Sequence, residues 1–320
     1  MKQVVIAVDL GGTNTVLGVV EKEGKVLHQV SFKTQAYPEI SAFVCRCGEA
    51  ISFLLEKLGR DGQVKAIGIG APDVNYRERT IENATNLPWK GIVPLAELLE
   101  KETSIPVCMT NDAKAAALGE MLYGAAKGMK DFIMLTLGTG VGSGIVVDGK
   151  LVYGRKSFAG ELGHVSIRPE SGRPCPCGRK GCLETYCSAT GVAQTACDLL
   201  DDSRYSDSLL HRLNPTEITS KDIYEAAMQG DALSNEVFRL TGEWLGEACA
   251  DFATFSDPEA FVFFGGLTKA ADCFMRYLIE TYQKTVFDNY KGTAKFLVSM
   301  LNDGEAALLG AAALAWLDDK

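Results

Sequence analysis

Short, wholly apolar stretches alternate with glycine turns and amphipathic segments along this chain. Val4-Val5-Ile6-Ala7-Val8 is an apolar run rich in β-branched residues and reads as a strand. It leads into Asp9-Leu10-Gly11-Gly12-Thr13-Asn14, and residues 16–20 read as a returning strand. Residues 26–32 form a third strand after the Lys22-Glu23-Gly24-Lys25 turn. Phe43, Cys47, Ala50, Ile51, Leu54, Leu55 and Leu58 recur at the helical period. Residues 64–70 return to strand, and Pro94 opens a helix through Leu99, where its missing N–H costs nothing. Residues 105–109 are a further strand, followed at Asn111-Asp112 by an alanine-rich helix over 113–119.

The pattern then repeats. Residues 132–137 are a strand, Gly138-Thr139-Gly140-Val141-Gly142 a glycine loop and 143–147 a returning strand, with Asp148-Gly149 closing the next hairpin. This unit matches the one at the start of the chain, so two similar halves are expected, with no low-complexity linker between them. Residues 199–219 are the most polar stretch and read as a surface excursion. Leu233, Val237, Leu240, Trp244, Ala248 and Phe252 mark a long amphipathic helix before the strand 261–264 and a third glycine turn, Gly265-Gly266.

The longest apolar run, 306–317, is interrupted by Gly310 and follows Asn302-Asp303-Gly304-Glu305, so it reads as a capped, buried helix. It falls short of the roughly eighteen residues of a membrane span. At 320 residues and 47% apolar the chain has length for two domains. A net charge of −9 argues against a nucleic-acid surface, which needs a basic patch. The first residues already read as a strand and no secretory leader opens the chain, so a soluble protein of the reducing cytoplasm is expected.

In that compartment the cysteines need another explanation than disulfides. His164, Cys175, Cys177 and Cys182 offer one imidazole and three thiolates, the ligand set of a closed tetrahedral zinc site. Gly178 and Gly181 let the backbone turn tightly around an ion. With every position filled by protein, this zinc builds structure and activates no water; it would hold the flanking Glu161 and Glu184 in place. Cys45, Cys47, Cys108, Cys197, Cys249 and Cys273 read as ordinary small residues of the core or of helices, and His28 and His211 as surface or strand residues.

Each of the three glycine turns follows an apolar strand. Glycines let backbone N–H groups approach phosphate oxygens, and Thr13 or Thr139 adds a hydroxyl donor. None of the turns matches a P-loop or a dinucleotide fingerprint. Asp9, at the end of the first strand, suits a magnesium ion, which prefers hard oxygen ligands. Asn111-Asp112 supplies a helix cap; but a cap needs one such residue, and the carboxylate of the pair is a candidate proton acceptor, with Asn111 orienting a neighbouring hydroxyl.

Asp9-Leu10-Gly11-Gly12-Thr13-Asn14, Asn111-Asp112, the 137–142 loop, Gly160-Glu161-Leu162-Gly163-His164 and the 175–184 cysteine segment together resemble the ROK family of sugar kinases and repressors, in that family's order and over nearly the whole chain. The resemblance implies an α/β, two-domain actin/hexokinase-like (ribonuclease-H-like) fold with a cleft between domains. A small domain over 1–115 would be completed by the C-terminal helix in 304–320, and a large one over 116–303 would carry the zinc loop. It also implies ATP-dependent phosphorylation of a hexose, at the 6-hydroxyl of glucose, with magnesium and structural zinc. By resemblance Asp112 is the general base, and Asn86, Asn111, Glu161, His164 and Glu184 bind the sugar. Gly11, Gly12, Thr13 and Asn14 cradle phosphates with Gly138, Thr139 and Gly140, while Gly265 and Gly266 border the nucleoside. An N-acetylhexosamine kinase or a fructokinase would use the same parts. A repressor would need a helix-turn-helix, for which the sequence before the first strand leaves no room. A homo-oligomer, dimer or tetramer, is also implied. The chain departs from the family at Gly70-Ala71-Pro72-Asp73-Val74-Asn75, where many members carry Gly-x-Pro-Gly. Asn86-Leu87-Pro88-Trp89 resembles glucokinase-like members, and Asn86 either reaches the sugar or builds a turn.

Overall fold

The computed structural model describes residues 2–59, 62–302 and 304–318. The chain forms two compact α/β units. One comprises Met1–Met129, Lys150–Gly160 and Met300–Lys320; the other comprises Lys130–Gly149 and Glu161–Ser299.

In the first unit β1 (Lys2–Leu10), β2 (Asn14–Glu21) and β3 (Val26–Lys33) form an antiparallel meander. After α1 (Ile40–Leu58) comes β4 (Gly62–Ala71), and β5 (Val74–Asn75), β6 (Thr80–Glu82) and β7 (Ile92–Val93) make a small sheet of their own. Next come α2 (Leu95–Thr103), β8 (Val107–Asn111) and α3 (Asp112–Tyr123). The main sheet runs β3-β2-β1-β4-β8, with β4 parallel to both β1 and β8. Val4, Ile6, Val8, Ile67 and Ile69 share one core with Phe43, Cys47, Ile51 and Leu54 of α1. Side chains alternate along a strand, so Gly68 faces the opposite side, where a Cβ would overlap the carbonyl of Ala311. That carbonyl belongs to the C-terminal helix (Ala306–Leu317), buried on nearly all sides as its composition requires. The expected side-chain cap is replaced: its N-cap residue Glu305 makes no such bond, and the Ala306 N–H donates to the carbonyl of Asn302 at 2.9 Å. Asp303 lies outside the described residues.

Register fixes what the sheet presents at its carboxyl edge. Asp9 pairs with Gly70, and Ala71 pairs with Asn111. The ends of β1, β4 and β8 are therefore level, and Asp9, the turn through Asp73, and Asp112 lie on one edge.

The second unit repeats the plan. β9 (Phe132–Leu137) and β10 (Val141–Val147) pair antiparallel around the glycine loop. The turn Asp148-Gly149 has φ of 49° and 69°, as a tight hairpin requires, and is followed in the chain by β11 (Lys150–Leu151), which opens the segment Lys150–Gly160 counted with the first unit. Beyond the cysteine segment lie α4 (Glu184–Cys187), α5 (Ala189–Leu199), α6 (Ser220–Ala227), the long α7 (Ala232–Ser256), β12 (Ala260–Phe264), α8 (Ala271–Thr285) and β13 (Lys295–Val298). Strand β12 lies parallel between β9 and β13. The C-terminal helix is α9. The polar stretch after α5 folds into three short 3-10 turns. Among the described residues, no helix is long and apolar enough to cross a membrane.

Candidate functional site

Asp112 begins α3 without having to cap it. The side-chain oxygen of Asn111 accepts the N–H groups of Ala113 at 2.9 Å and Lys114 at 3.4 Å, satisfying donors that a helix start leaves open. Asp112 spends one oxygen on the Ala113 N–H at 2.7 Å. Its second oxygen has no hydrogen-bond partner among the described residues, at the positive end of a helix, where a carboxylate is favoured.

Two further carboxyls feel that charge. Burial, and then the charge of Asp112, pushes Asp9 up to about 6. The same two causes raise Asp73, against a hydrogen bond from the Thr85 backbone N–H. Mutually repelling hard oxygens of this kind fit a divalent cation such as magnesium, which would reverse the shift at Asp9. Asp73 has φ of 52°, so the aspartate adopts the left-handed turn for which the family's usual glycine is suited.

The first glycine turn is braced by neutral side chains that its own sequence does not announce. Thr34 donates its hydroxyl to the Gly11 carbonyl at 2.7 Å, and Gln35 bridges the carbonyls of Gly12 at 2.7 Å and Asn86 at 3.1 Å. A Cβ on Gly12 would lie 2.7 Å from the Asn86 carbonyl oxygen. Leu87 and Trp89 are buried beside Phe43, the indole N–H donating to the Tyr37 carbonyl at 3.1 Å, and Asn86 stays exposed. Thr13 and Asn14 are exposed at the tip of the turn.

In the second unit the corresponding loop is held differently. Glu184 accepts the Val141 N–H at 3.1 Å, and its carboxylate fills the space a Cβ on Gly140 would need. The Ala189 N–H and the Thr190 hydroxyl donate to the carbonyls of Gly138 and Thr139, each at 2.8 Å. Beside this loop lies a cavity of about 650 Å³, lined by Gly138, Thr139, Ala189, Ser220, Lys221, Tyr224, Glu225, Gly266, Leu267 and Lys269. Two of the glycine turns thus share one pocket with helix α6, which the apolar pattern of the sequence does not mark. A signal was present: Thr219 and Asp222 form a capping box, each side chain accepting the other's backbone N–H.

The other face of Glu184 meets the cysteine segment. Its second oxygen is 3.9 Å from His164 Nδ1 and 3.7 Å from Cys175 Sγ. Ligand atoms of His164, Cys175, Cys177 and Cys182 all lie within 4.8 Å of one another. Cys177 Sγ and Cys182 Sγ are 3.6 Å apart, and Cys175 Sγ is 3.7 Å from His164 Nδ1. Thiolates at zinc bonding distance would define a tetrahedral edge of about 3.8 Å. The donor set fits a zinc ion in size as well as in chemistry. Gly178 and Gly181 take φ of 88° and 71° to close the loop. Glu161 is exposed and precedes the short turn carrying His164, whose N–H donates to the Glu161 carbonyl at 3.1 Å.

These two sheets and their glycine turns define the actin/hexokinase-like class of α/β protein. The chain belongs to the ROK family, whose model matches residues 5–317. It is 33% identical over 307 residues to a glucokinase of Halalkalibacterium halodurans, a match covering 95% of this chain and 92% of that one. It is similar throughout to the crystal structure of a ROK family glucokinase from Streptomyces griseus in complex with glucose and AMPPNP, at 34% identity and a TM-score of 0.76, covering 98% and 100% of the two chains. A xylose repressor of Caldicellulosiruptor bescii matches at 31% identity, over 80% of this chain and 63% of the repressor.

Proposed function

We propose that this chain is an ATP-dependent hexose kinase that phosphorylates the 6-hydroxyl of glucose, with Asp112 as general base. The observation that carries this reading is the division of labour at the start of α3. Asn111 caps the helix, and Asp112 keeps one carboxylate oxygen for a proton. The glucokinase relatives, which match over nearly the full length of both chains, support the substrate class.

The 6-hydroxyl gives its proton to Asp112 as its oxygen attacks the γ-phosphorus, and the bond to the β-phosphate oxygen breaks to release ADP. Phosphoryl transfer is chiefly positioning and charge stabilisation. Asn86, Asn111, Glu161, His164 and Glu184 bind the other sugar hydroxyls. The Gly11-Gly12 and Gly138–Gly140 turns cradle the phosphates. The N–H groups of Gly11 and Gly138 close the turns on the carbonyls of Asn14 and Gly140, each at 3.0 Å. The N–H groups of Gly12 and Gly140 are the backbone donors, with Thr13, Asn14 and Thr139 adding side-chain donors. Gly265 and Gly266 border the nucleoside, and the 650 Å³ cavity beside Tyr224 receives it. Asp9 would hold magnesium, which supplies positive charge against the phosphates. His164, Cys175, Cys177 and Cys182 would hold zinc, which supplies rigidity to the loop before Glu184. The same reading makes the protein a cytoplasmic homo-oligomer.

A coupled assay of ADP release across a sugar panel tests this. Glucose should give the highest kcat/KM, mannose and glucosamine less, and N-acetylhexosamines and fructose little, because a site built for hydroxyls rejects analogues that leave its polar groups unpaired. Faster turnover of N-acetylmannosamine or N-acetylglucosamine would overturn the sugar identity. Absence of ADP release with every sugar would overturn the kinase reading.

A further inference from the structure

Arg173 takes no part in the ligand contacts described so far, yet its side chain makes four directed hydrogen bonds. One guanidinium nitrogen donates to the carbonyls of Thr185 at 2.7 Å and Gly191 at 3.1 Å. The other donates to the Thr195 hydroxyl at 3.0 Å and to Asp198 at 2.6 Å. The plane lies over the ring of Tyr186, 4.6 Å from its centroid. The backbone of Arg173 adds two bonds: its N–H donates to the Tyr186 hydroxyl oxygen at 3.0 Å, and its carbonyl accepts the Gly181 N–H at 2.8 Å.

Those partners join the cysteine loop to the starts of α4 and α5. Gly181 precedes Cys182, and Arg173 itself stands two residues before Cys175, so the cysteine loop is held at both ends. Thr185 follows Glu184 at the start of α4, and Gly191 lies in the first turn of α5. That turn presents the Ala189 N–H and the Thr190 hydroxyl that hold the carbonyls of Gly138 and Thr139. A planar fork is required, because the compact ammonium of a lysine cannot address two carbonyls, a hydroxyl and a carboxylate in one geometry.

We infer that Arg173 is a positioning residue that sets Glu184 and the 138–142 glycine loop against the cysteine loop, and so governs affinity for hexose and nucleotide while touching neither. The inference rests on the kinase reading, which names the ligands; the geometry that Arg173 maintains does not depend on it. A residue that merely staples the fold would lower the folded fraction and leave the surviving molecules with unchanged constants.

The test uses Arg173→Lys in the zinc-loaded protein, with Arg173→Ala as the second variant. Arg173→Lys is expected to retain one zinc per chain and near-wild-type helical circular dichroism, while KM rises for both hexose and ATP by roughly tenfold or more. Guanidinium added to Arg173→Ala should restore part of the loss. Hydrogen exchange at the backbone amides of 138–142 needs no substrate and should quicken in Arg173→Lys. Faster exchange in a protein inactive on every sugar would keep the positioning role and remove the kinase reading. Unchanged exchange, with KM values within twofold of wild type per folded molecule, would overturn the inference.

Discussion

The two glycine hairpins are built alike and equipped differently. Each closes an antiparallel pair whose first strand also has a parallel neighbour, β1 beside β4 and β9 beside β12. The first is braced by Thr34 and Gln35 and shares its sheet edge with acids that cannot all be charged at low cost. The second is braced by a carboxylate, Glu184, which in turn touches a metal-ligand cluster. In the proposed reading the first sheet edge supplies the proton acceptor and a place for a hard cation. The second loop borrows its rigidity from the cysteine segment.

The sharpest way to break that contrast is Cys175→Ser. Structural zinc contributes on the order of 10 kcal/mol to local folding. Loss of one thiolate should release the metal, lower Tm and abolish turnover together. Stoichiometric zinc by elemental analysis in the variant would show that Cys175 is not a required ligand, and none in the wild type would show that the second loop stands without metal.

Asp112→Asn strikes the first sheet edge alone. With Asn111 still capping α3, Tm and glucose Kd should stay near wild type while kcat falls roughly 100-fold or more. Asn111→Ala, by contrast, should cost about 1 kcal/mol of stability through the lost cap. Near-normal turnover in Asp112→Asn would leave Asp112 as a second capping residue.

Asp9 makes the charge difference measurable. Its folded pKa is about 6, above the ordinary 3.8. An acid raised in the folded state adds relative stability below pH 4 that is lost as pH rises through 6, because the folded protein must then carry a buried charge. Magnesium-free wild type should accordingly lose roughly 2 kcal/mol across that window relative to Asp9→Asn. Magnesium should restore much of it to the wild type alone. Parallel Tm–pH curves for the two proteins would remove the physical basis for a cation at Asp9.

The fold was largely legible because apolar runs and glycine turns recur in the same order in both halves, and the structure realises them as matching hairpins. The ligand cluster was legible because three of the ten cysteines are closely spaced after one of only three histidines. Helix α6 was hidden by the polarity around it, although Thr219 and Asp222 signalled its start. Arg173 was illegible for a different reason: two of its side-chain partners are main-chain carbonyls, which every residue carries. Asp73 shows the limit of motif comparison. The absent glycine suggested a changed turn, yet the aspartate keeps the left-handed conformation and adds a carboxyl to the edge that already holds Asp9 and Asp112.

The smallest effect separates the two ends of the second loop. A Cβ added to Gly138 would meet nothing within 4 Å, whereas one on Gly140 overlaps the Glu184 carboxylate. Gly140→Ala must push Glu184 off the Val141 N–H, so hexose KM should rise about tenfold, as expected when a binding group is displaced by an ångström or less. Its effect on ATP should be weaker, because Gly138 and Thr139 remain tied to α5. Gly138→Ala should reverse the pattern, since its new methyl group borders the cavity assigned to the nucleoside and leaves Glu184 alone. Steady-state KM values for both substrates in both variants decide the matter. Equal shifts for hexose and ATP in each variant would mean that the loop moves as one body and that Glu184 confers no separate sugar-side role.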